Sequence, residues 1–229
     1  MTFDAFNGNH MSTAIAADRP KPLLRGVSHE IAAFAIAPAA LALVAAAQGV
    51  PAVAGAAVYG VSVFLLFLIS ATYHRPMWTP RARAIMQRLD HSAIFVLIAG
   101  TYTPFCLLLG ANGTAMLVGV WVGALLGVAM SLFWPKAPKP LVALVAVLLG
   151  WQILPLTPAL KGTIGPESLV LLLAGGILYT VGALVYATRR PDPAPRIFGF
   201  HEIFHLFVVA AAVCHFAAVR QAVTALSGS

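Results

Sequence analysis

The sequence predicts an all-α integral membrane protein with seven transmembrane helices. Hydrophobic residues make up 60% of the 229-residue chain and charged residues only 9%, whereas about a quarter of the residues are charged in an ordinary soluble domain. The apolar residues also form uninterrupted runs, and a helix that crosses the bilayer needs roughly 20 of them. The chain has room for about seven such runs with short connections, which leaves almost nothing for a separate soluble domain.

Seven candidate spans follow from these runs and from the glycine- and proline-rich turns between them. The fifth span is the weakest, because Pro155 and Pro158 interrupt its end. We therefore expect a flexible cytoplasmic tail over residues 1–28, a membrane domain over 29–221 and a short C-terminal tail over 222–229. The expected spans are residues 31–47, 52–73, 91–109, 114–133, 141–156, 168–188 and 199–219.

The basic residues predict how the bundle is oriented. A net charge of +7 would suggest nucleic-acid binding in a soluble protein, but here the cations lie in the gaps between apolar runs, so we expect no nucleic-acid partner. All but Lys161 and Arg220 of the 14 lysines and arginines fall on one predicted side. Because positively charged loops stay in the cytoplasm, the N-terminus is expected inside and the C-terminus outside, in a multi-pass protein of the cell membrane.

Two sets of small residues lie within the spans. Gly119, Gly123 and Gly127 form a repeated face on the fourth span, and such a face lets two helix backbones approach closely. Packing inside the bundle is the favoured interpretation, and a homodimer through this face is the alternative. Cys106 and Cys214 lie inside apolar runs, so no disulfide is expected.

Histidines within the spans predict a metal site. His201 and His205 are four residues apart on the seventh span, which puts both imidazoles on one helical face at a spacing that lets them share a metal. His74 ends the second span and Asp90 begins the third, so the predicted topology brings all four residues to the same cytoplasmic depth. Three imidazoles that leave one position open are the ligand set of a catalytic zinc. We therefore predict that His74, His201 and His205 bind Zn²⁺.

Ser70 and Asp90 are the predicted catalytic residues beside this site. Ser70 lies one turn before His74 on the same face of the second span. Together the hydroxyl and the carboxylate could hold a water in the open zinc position, with Asp90 taking its proton. The alternatives are a Ser70 hydroxyl bonded back to its own helix and an Asp90 that caps the N-terminus of the third span.

The other ionisable residues in the spans are expected outside the metal site. His91 points roughly 100° away from the preceding carboxylate, and Glu202 likewise points off the ligand face. His215 lies some 20 Å farther along the last helix and is expected to be a packing residue. His29 is either an interfacial residue or a partner of a ligand.

Four motifs follow one another along the chain, and they are Ser70-Ala-Thr-Tyr-His74, Leu89-Asp90-His91-Ser92-Ala93-Ile94, Ala99-Gly100-Thr101-Tyr102-Thr103-Pro104 and His201-Glu-Ile-Phe-His205. In this order they resemble the motifs of the bacterial hemolysin III family, which is related to the progestin and adiponectin receptors and to the alkaline ceramidases. The resemblance covers the chain from about His29 to the seventh span. It implies a seven-helix fold with zinc near the cytoplasmic face, held by the same three histidines, and with the same serine and aspartate positioning the water.

Two functions remain open at this point. The first is a zinc-dependent hydrolase of lipid amides or esters, of the ceramidase type, with a membrane lipid as substrate. The second is a pore-forming hemolysin, a channel or a receptor-like protein of membrane homeostasis, in which zinc is structural or regulatory. The spans contain almost none of the charged rings that line ion pathways, which disfavours a channel.

Overall fold

The computed structural model describes residues 21–228, and within them the chain is helical almost throughout. No strand forms in this range, where the β-type contact is an isolated bridge between Ala194 and Phe198. Six stretches are long and apolar enough to cross a membrane, which confirms the predicted all-helical membrane class. The first 20 residues of the expected tail lie outside the described residues. The helices are α1 (Val27–Ala46), α2 (Val50–His74), α3 (Pro80–Leu108), α4 (Ala111–Phe133), α5 (Lys139–Gly150), a 3₁₀ segment (Trp151–Leu156), α6 (Thr157–Thr188) and α7 (Phe200–Ser227).

Helix α3 begins eleven residues before the expected start of the third span. Pro80 occupies its first turn, and the Thr79 side chain accepts a hydrogen bond of 3.3 Å from the backbone N–H of Ala82. Threonine at the N-cap followed by proline is a strong helix start. The interpretation of Asp90 as an N-cap is therefore wrong, because Asp90 lies about three turns inside the helix.

The last helix also differs from the expected span. It continues to Ser227 and buries Ala222, Val223 and Leu226, although we expected the membrane domain to end at residue 221. These apolar side chains continue the core-facing stripe of the helix, so the longer helix buries more apolar surface.

The stretch Lys139–Thr188 decides the number of crossings. It counts as one apolar stretch of 50 residues, so the structure does not confirm the predicted number of seven. The stretch is not one straight helix, since the 3₁₀ segment interrupts it and Gly165 has a non-helical φ of 78° within α6. Pro166 follows, and proline disfavours a helical conformation at the residue before it.

The two halves of this stretch lie against each other. The indole N–H of Trp151 donates a hydrogen bond of 2.9 Å to the Thr180 hydroxyl. At the other end of the pair, the Lys139 ammonium lies 5.5 Å from the centre of the Tyr186 ring. The chain therefore folds back on itself between α5 and the second half of α6.

Helix α3 is the most buried helix of the bundle. In its most apolar window 67% of the residues are buried, against 22% in α1 and in α4. Large apolar side chains such as Phe34 on α1 and Leu126 on α4 are exposed. These outer faces suit contact with lipid, because lipid tails are as apolar as the side chains themselves.

Internal packing accounts for two of the three glycines on α4. A Cβ atom on Gly127 would lie 2.3 Å from Phe95, and one on Gly123 would lie 2.6 Å from Leu149. Gly119 has open space around it. Homodimer formation through this face stays a prediction.

The segment before α1 joins the first helix to the last one. The backbone N–H groups of Leu23 and Leu24 donate to the carbonyls of Arg196 and Ile197, each at 3.1 Å. This short pairing crosses the end of the bundle where α2 ends and α7 begins, next to the predicted metal site.

Candidate metal centre

Helices α2 and α7 bring the three predicted ligands together. His74 is the last residue of α2, while His201 and His205 lie one turn apart at the start of α7. Each offers one ring nitrogen, and these atoms all lie within 4.8 Å of one another. The Nε2 atoms of His74 and His201 are 3.2 Å apart.

This arrangement suits a metal ion. Two nitrogen ligands at about 2.0–2.1 Å from a tetrahedral zinc lie about 3.3–3.4 Å apart, close to the separation between His74 and His201. The ring of His205 is buried, and its Nδ1 has no hydrogen-bond partner among the described residues. A buried polar atom without a partner is costly. The three histidines could therefore hold a metal ion.

Glu202 fixes the turn of α7 that carries two of these histidines. The side chain is buried, and its Oε2 accepts a hydrogen bond of 2.7 Å from the backbone N–H of Gly199. Its other oxygen pairs with the Arg25 guanidinium. Glu202 thus satisfies a free N–H of the helix start and ties the helix to the segment before α1, pointing away from the ring nitrogens as expected.

Gly26 allows the other ligand to reach this position. Its φ is +82°, a conformation that glycine adopts without strain. A Cβ atom there would lie 2.7 Å from the Cβ of His74. The start of α1 can therefore approach the end of α2 closely only because this residue has no side chain.

His29 lies inside the same cluster. Its side chain is 3% exposed, and its ring stacks on that of His205 with centroids 3.8 Å apart and an interplanar angle of 6°. Neither ring nitrogen makes a hydrogen bond of normal geometry to the described residues. The sequence left its role open between the interface and a partner of a ligand, and the structure puts it against a predicted ligand. Only its position at the boundary of the first apolar run hinted at this.

Ser70 and Asp90 meet beside the histidines. The Ser70 hydroxyl, on α2, lies close enough to the Asp90 carboxylate on α3 to interact with its charge. Both residues line the cavity that the three histidines also line. The Ser70 hydroxyl therefore faces a carboxylate on a neighbouring helix.

The cavity has a volume of about 280 Å³ and runs between α2, α3, α5, α6 and α7. Below the histidines its wall is apolar, with side chains such as Leu97, Phe105 and Trp151. His215 reaches its far end, where Nε2 lies 3.0 Å from the backbone oxygen of Leu172. His215 stays apart from the metal cluster, as expected from its distance along the helix.

Comparisons with known proteins agree with the motifs. A family model described as "Haemolysin-III related" matches residues 17–216. "Hemolysin-3" of Bacillus cereus is 36% identical over 192 residues, which cover 82% of this chain and 84% of that protein. "Hemolysin-3 homolog" of Bacillus subtilis (strain 168) is 37% identical over 161 residues, covering 69% and 72%. "Heptahelical transmembrane protein 5" of Arabidopsis thaliana is 30% identical over 182 residues, covering 69% of this chain and 47% of that protein.

The apolar helices and these matches lead to the same class of protein. The resemblance drawn from the serine, histidine and aspartate motifs is confirmed by a match that spans most of the chain. The chain is therefore a multi-pass membrane protein that belongs to the haemolysin-III-related family.

Proposed function

We propose that this protein is a zinc-dependent hydrolase that cleaves an amide or ester bond of a membrane lipid. The observation that carries the proposal is the meeting of three imidazoles with the Ser70–Asp90 pair at one end of an apolar cavity. A hydrolase of lipids needs both parts, a polar site for the carbonyl and an apolar space for the acyl chain.

The identity of the metal follows from the ligands. Three neutral imidazoles that leave one position open are typical of catalytic zinc, whereas a structural zinc has four protein ligands. Among the described residues, the cluster with metal-binding geometry contains the three histidines and no fourth ligand. When bound in such a site, zinc activates a water molecule and polarises a carbonyl group.

The side chains of the protein would then handle the proton. The Asp90 carboxylate accepts it as water adds to the lipid carbonyl, and returns it to the nitrogen or oxygen that leaves when the bond breaks. The Ser70 hydroxyl donates to the carboxylate and holds it in place. The products are a fatty acid and an amine or alcohol, and the apolar walls keep bulk water away from the acyl chain.

We further propose seven membrane crossings, with the N-terminus in the cytoplasm and the metal centre at the cytoplasmic leaflet. The fold-back of Lys139–Thr188 supports two crossings in place of one, as does the word "heptahelical" in the name of the Arabidopsis relatives. The distribution of basic residues supports the orientation. Reporter fusions at the loops would test it, and a cytoplasmic reporter signal at both termini would contradict it.

A second candidate function is membrane lysis with a structural or regulatory zinc. The printed names of the Bacillus relatives favour it. Leakage from vesicles that persists after replacement of all three histidines would support lysis over hydrolysis.

Replacement of Asp90 tests the proposed hydrolase most directly. Metal analysis of the purified protein should find about one zinc per chain in the wild type and in Asp90→Asn. Turnover in a screen of lipid amides and esters should fall by about 10²–10⁴-fold in the variant, because the proton acceptor is lost. A metal-free wild type, or equal turnover by the two proteins, would overturn the proposal.

A further inference from the structure

Three cations line the cavity at the end that holds the histidines, and one of them, Arg25, is paired with Glu202. The other two lie at the mouth. Arg83 lies in the first turn of α3 and Lys139 is the first residue of α5, and both belong to the cavity wall. Their neighbours in sequence, Arg81 and Lys136, lie outside the wall. Only some of the basic residues at this end of the molecule therefore line the cavity.

These two cations are not neutralised within residues 21–228. The salt bridges in that range join Arg25 to Glu202 and Arg75 to Glu30. Lys139 also lies within electrostatic reach of Arg25, Arg83 and Arg189. A cluster of like charges at the mouth of a low-dielectric cavity attracts anions, and the positive ends of the α3 and α5 dipoles add to this field.

Each cation is one aromatic ring away from the metal cluster. The Arg83 guanidinium lies 5.7 Å from the Tyr73 ring, which lies 4.4 Å from the ring of His74. On the other side of the mouth, Lys139 lies 5.5 Å from the Tyr186 ring, and that ring lies 5.8 Å from His201. An anion held by these cations would therefore lie two ring contacts away from a carbonyl at the histidines.

The cavity wall is most polar at the end that holds the histidines. The cations and Asp90 line that end, and most of the side chains beyond it are apolar, such as Phe105 and Trp151, with His215 at the far end. A lipid with an anionic head, a polar linkage and an acyl tail has the same order of groups. Arginine and lysine together suit a phosphate, the former through paired hydrogen bonds and the latter as a point charge.

We propose that the cavity binds an acyl lipid with a phosphate monoester head, held by Arg83 and Lys139. The proposal rests on the proposed lipid hydrolase and deepens it by naming the head group of the substrate class. Basic pockets between membrane helices are known to bind anionic head groups. A zwitterionic phosphocholine head would place a quaternary ammonium among the same cations and bind less well.

Equilibrium binding to the full chain in neutral detergent tests the head-group site. The probes are ether analogues of lysophosphatidic acid and lysophosphatidylcholine with the same oleyl chain, which have no cleavable carbonyl, so binding is measured without turnover. The wild type should bind the phosphate monoester about tenfold more tightly or better, since each charge-assisted contact at a wet rim contributes modestly.

The matched variants separate this site from a general basic surface. Arg83→Gln with Lys139→Gln should bring the two affinities to within about twofold to threefold, because the phosphate monoester loses more charge-assisted contacts than the zwitterionic head does. Arg81→Gln with Lys136→Gln removes the same charge outside the cavity and should keep the selectivity. Equal affinities in the wild type, or the same loss of selectivity in both double variants, would overturn the proposal.

Inorganic phosphate distinguishes a lipid head from a free anion. It should displace the lipid only at a concentration about 100-fold higher or more, because it lacks the acyl chain that fills the apolar part of the cavity. Displacement at equal concentration would overturn the lipid assignment in favour of free phosphate. The hydrolase proposal is tested by zinc content and by the ratio of turnover between the wild type and Asp90→Asn. Neither measurement uses the uncleavable probes, so failure of the head-group site is distinguishable from failure of the proposed hydrolase.

Discussion

Histidines of α7 lie at both ends of the cavity, yet only one end assembles a candidate metal centre. At the first end, His201 and His205 meet His74 from α2, and the Nδ1 of the buried His205 has no partner within the described residues. At the other end, His215 stands alone with its Nε2 beside the carbonyl oxygen of Leu172. The difference between the two ends is thus the second helix, which supplies another imidazole at one end and none at the other.

The surroundings of the two ends differ as well. A charged pair, Arg25 with Glu202, and a backbone pairing with the segment before α1 hold the first end. At the far end the neighbours of His215 are the ring of Tyr179, with centroids 5.3 Å apart, and Gly175. The first end therefore depends on polar contacts between distant parts of the chain, and the far end on close packing.

Removal of one histidine from each end of the cavity should give the largest difference in zinc binding between two variants. His205→Ala should lower the zinc affinity by about 100-fold or more, because one of three protein ligands is lost. His215→Ala should keep about one zinc per chain. Metal analysis after dialysis against buffered zinc measures both, and equal retention by the two variants would remove the distinction between the ends.

Replacement of a glycine next to a histidine should give a smaller difference in zinc binding between the two ends of the cavity. Gly26→Ala forces a side chain into a positive-φ position against His74, which should cost about 1–3 kcal/mol and weaken zinc binding about tenfold. Gly175→Ala should cost a similar free energy, since its Cβ would lie 2.2 Å from the His215 ring, while the zinc affinity stays unchanged.

Thermal unfolding and zinc titration check this pair, and Gly119→Ala, which has open space around it, is the control. The control should stay within about 0.5 kcal/mol of the wild type. Weakened zinc binding in Gly175→Ala would show that the two ends are coupled.

Breaking the pair of Arg25 and Glu202 should have the smallest effect, which is on stability. Glu202→Gln keeps an acceptor for the Gly199 N–H but loses the ion pair with Arg25, whose side chain is 22% exposed. We expect the free energy of unfolding to fall by about 1–2 kcal/mol. This is less than the cost of breaking a fully buried pair, because solvent screens the arginine.

Glu30→Gln is the matched control at the same end. Its pair with Arg75 has a distance of 2.8 Å and exposed fractions of 45% and 40%, so it should contribute less than about 1 kcal/mol. Thermal unfolding in the presence of zinc measures both variants. A larger effect from Glu30→Gln would mean that burial does not set the strength of these pairs.

The apolar runs and the histidine spacing predicted most of what the structure shows. Long runs without charges can bury their backbone polar groups only as helices, and residues four apart on a helix must share a face. The position of His74 followed from the expected topology, since a span that starts at one membrane face ends at the other.

Features that depend on packing could not be predicted in this way. The start of α3 at Pro80 was missed because three arginines and a glutamine interrupt the apolar residues of 80–89. The predicted span begins only where the uninterrupted apolar run begins. The stack of His29 on His205 and the choice of Arg83 and Lys139 for the cavity wall depend on how helices rotate against each other. Spacing along one helix carries no information about that rotation.

The pairing of residues 23–24 with 196–197 has a practical consequence for engineering. It ties the segment before α1 to the residues just before α7, beside the histidine cluster. An insertion or protease nick between residues 21 and 25 would break this contact and should loosen the start of α7. A purification tag is better placed after α7, because the end of this 28-residue helix lies about 40 Å away along its axis.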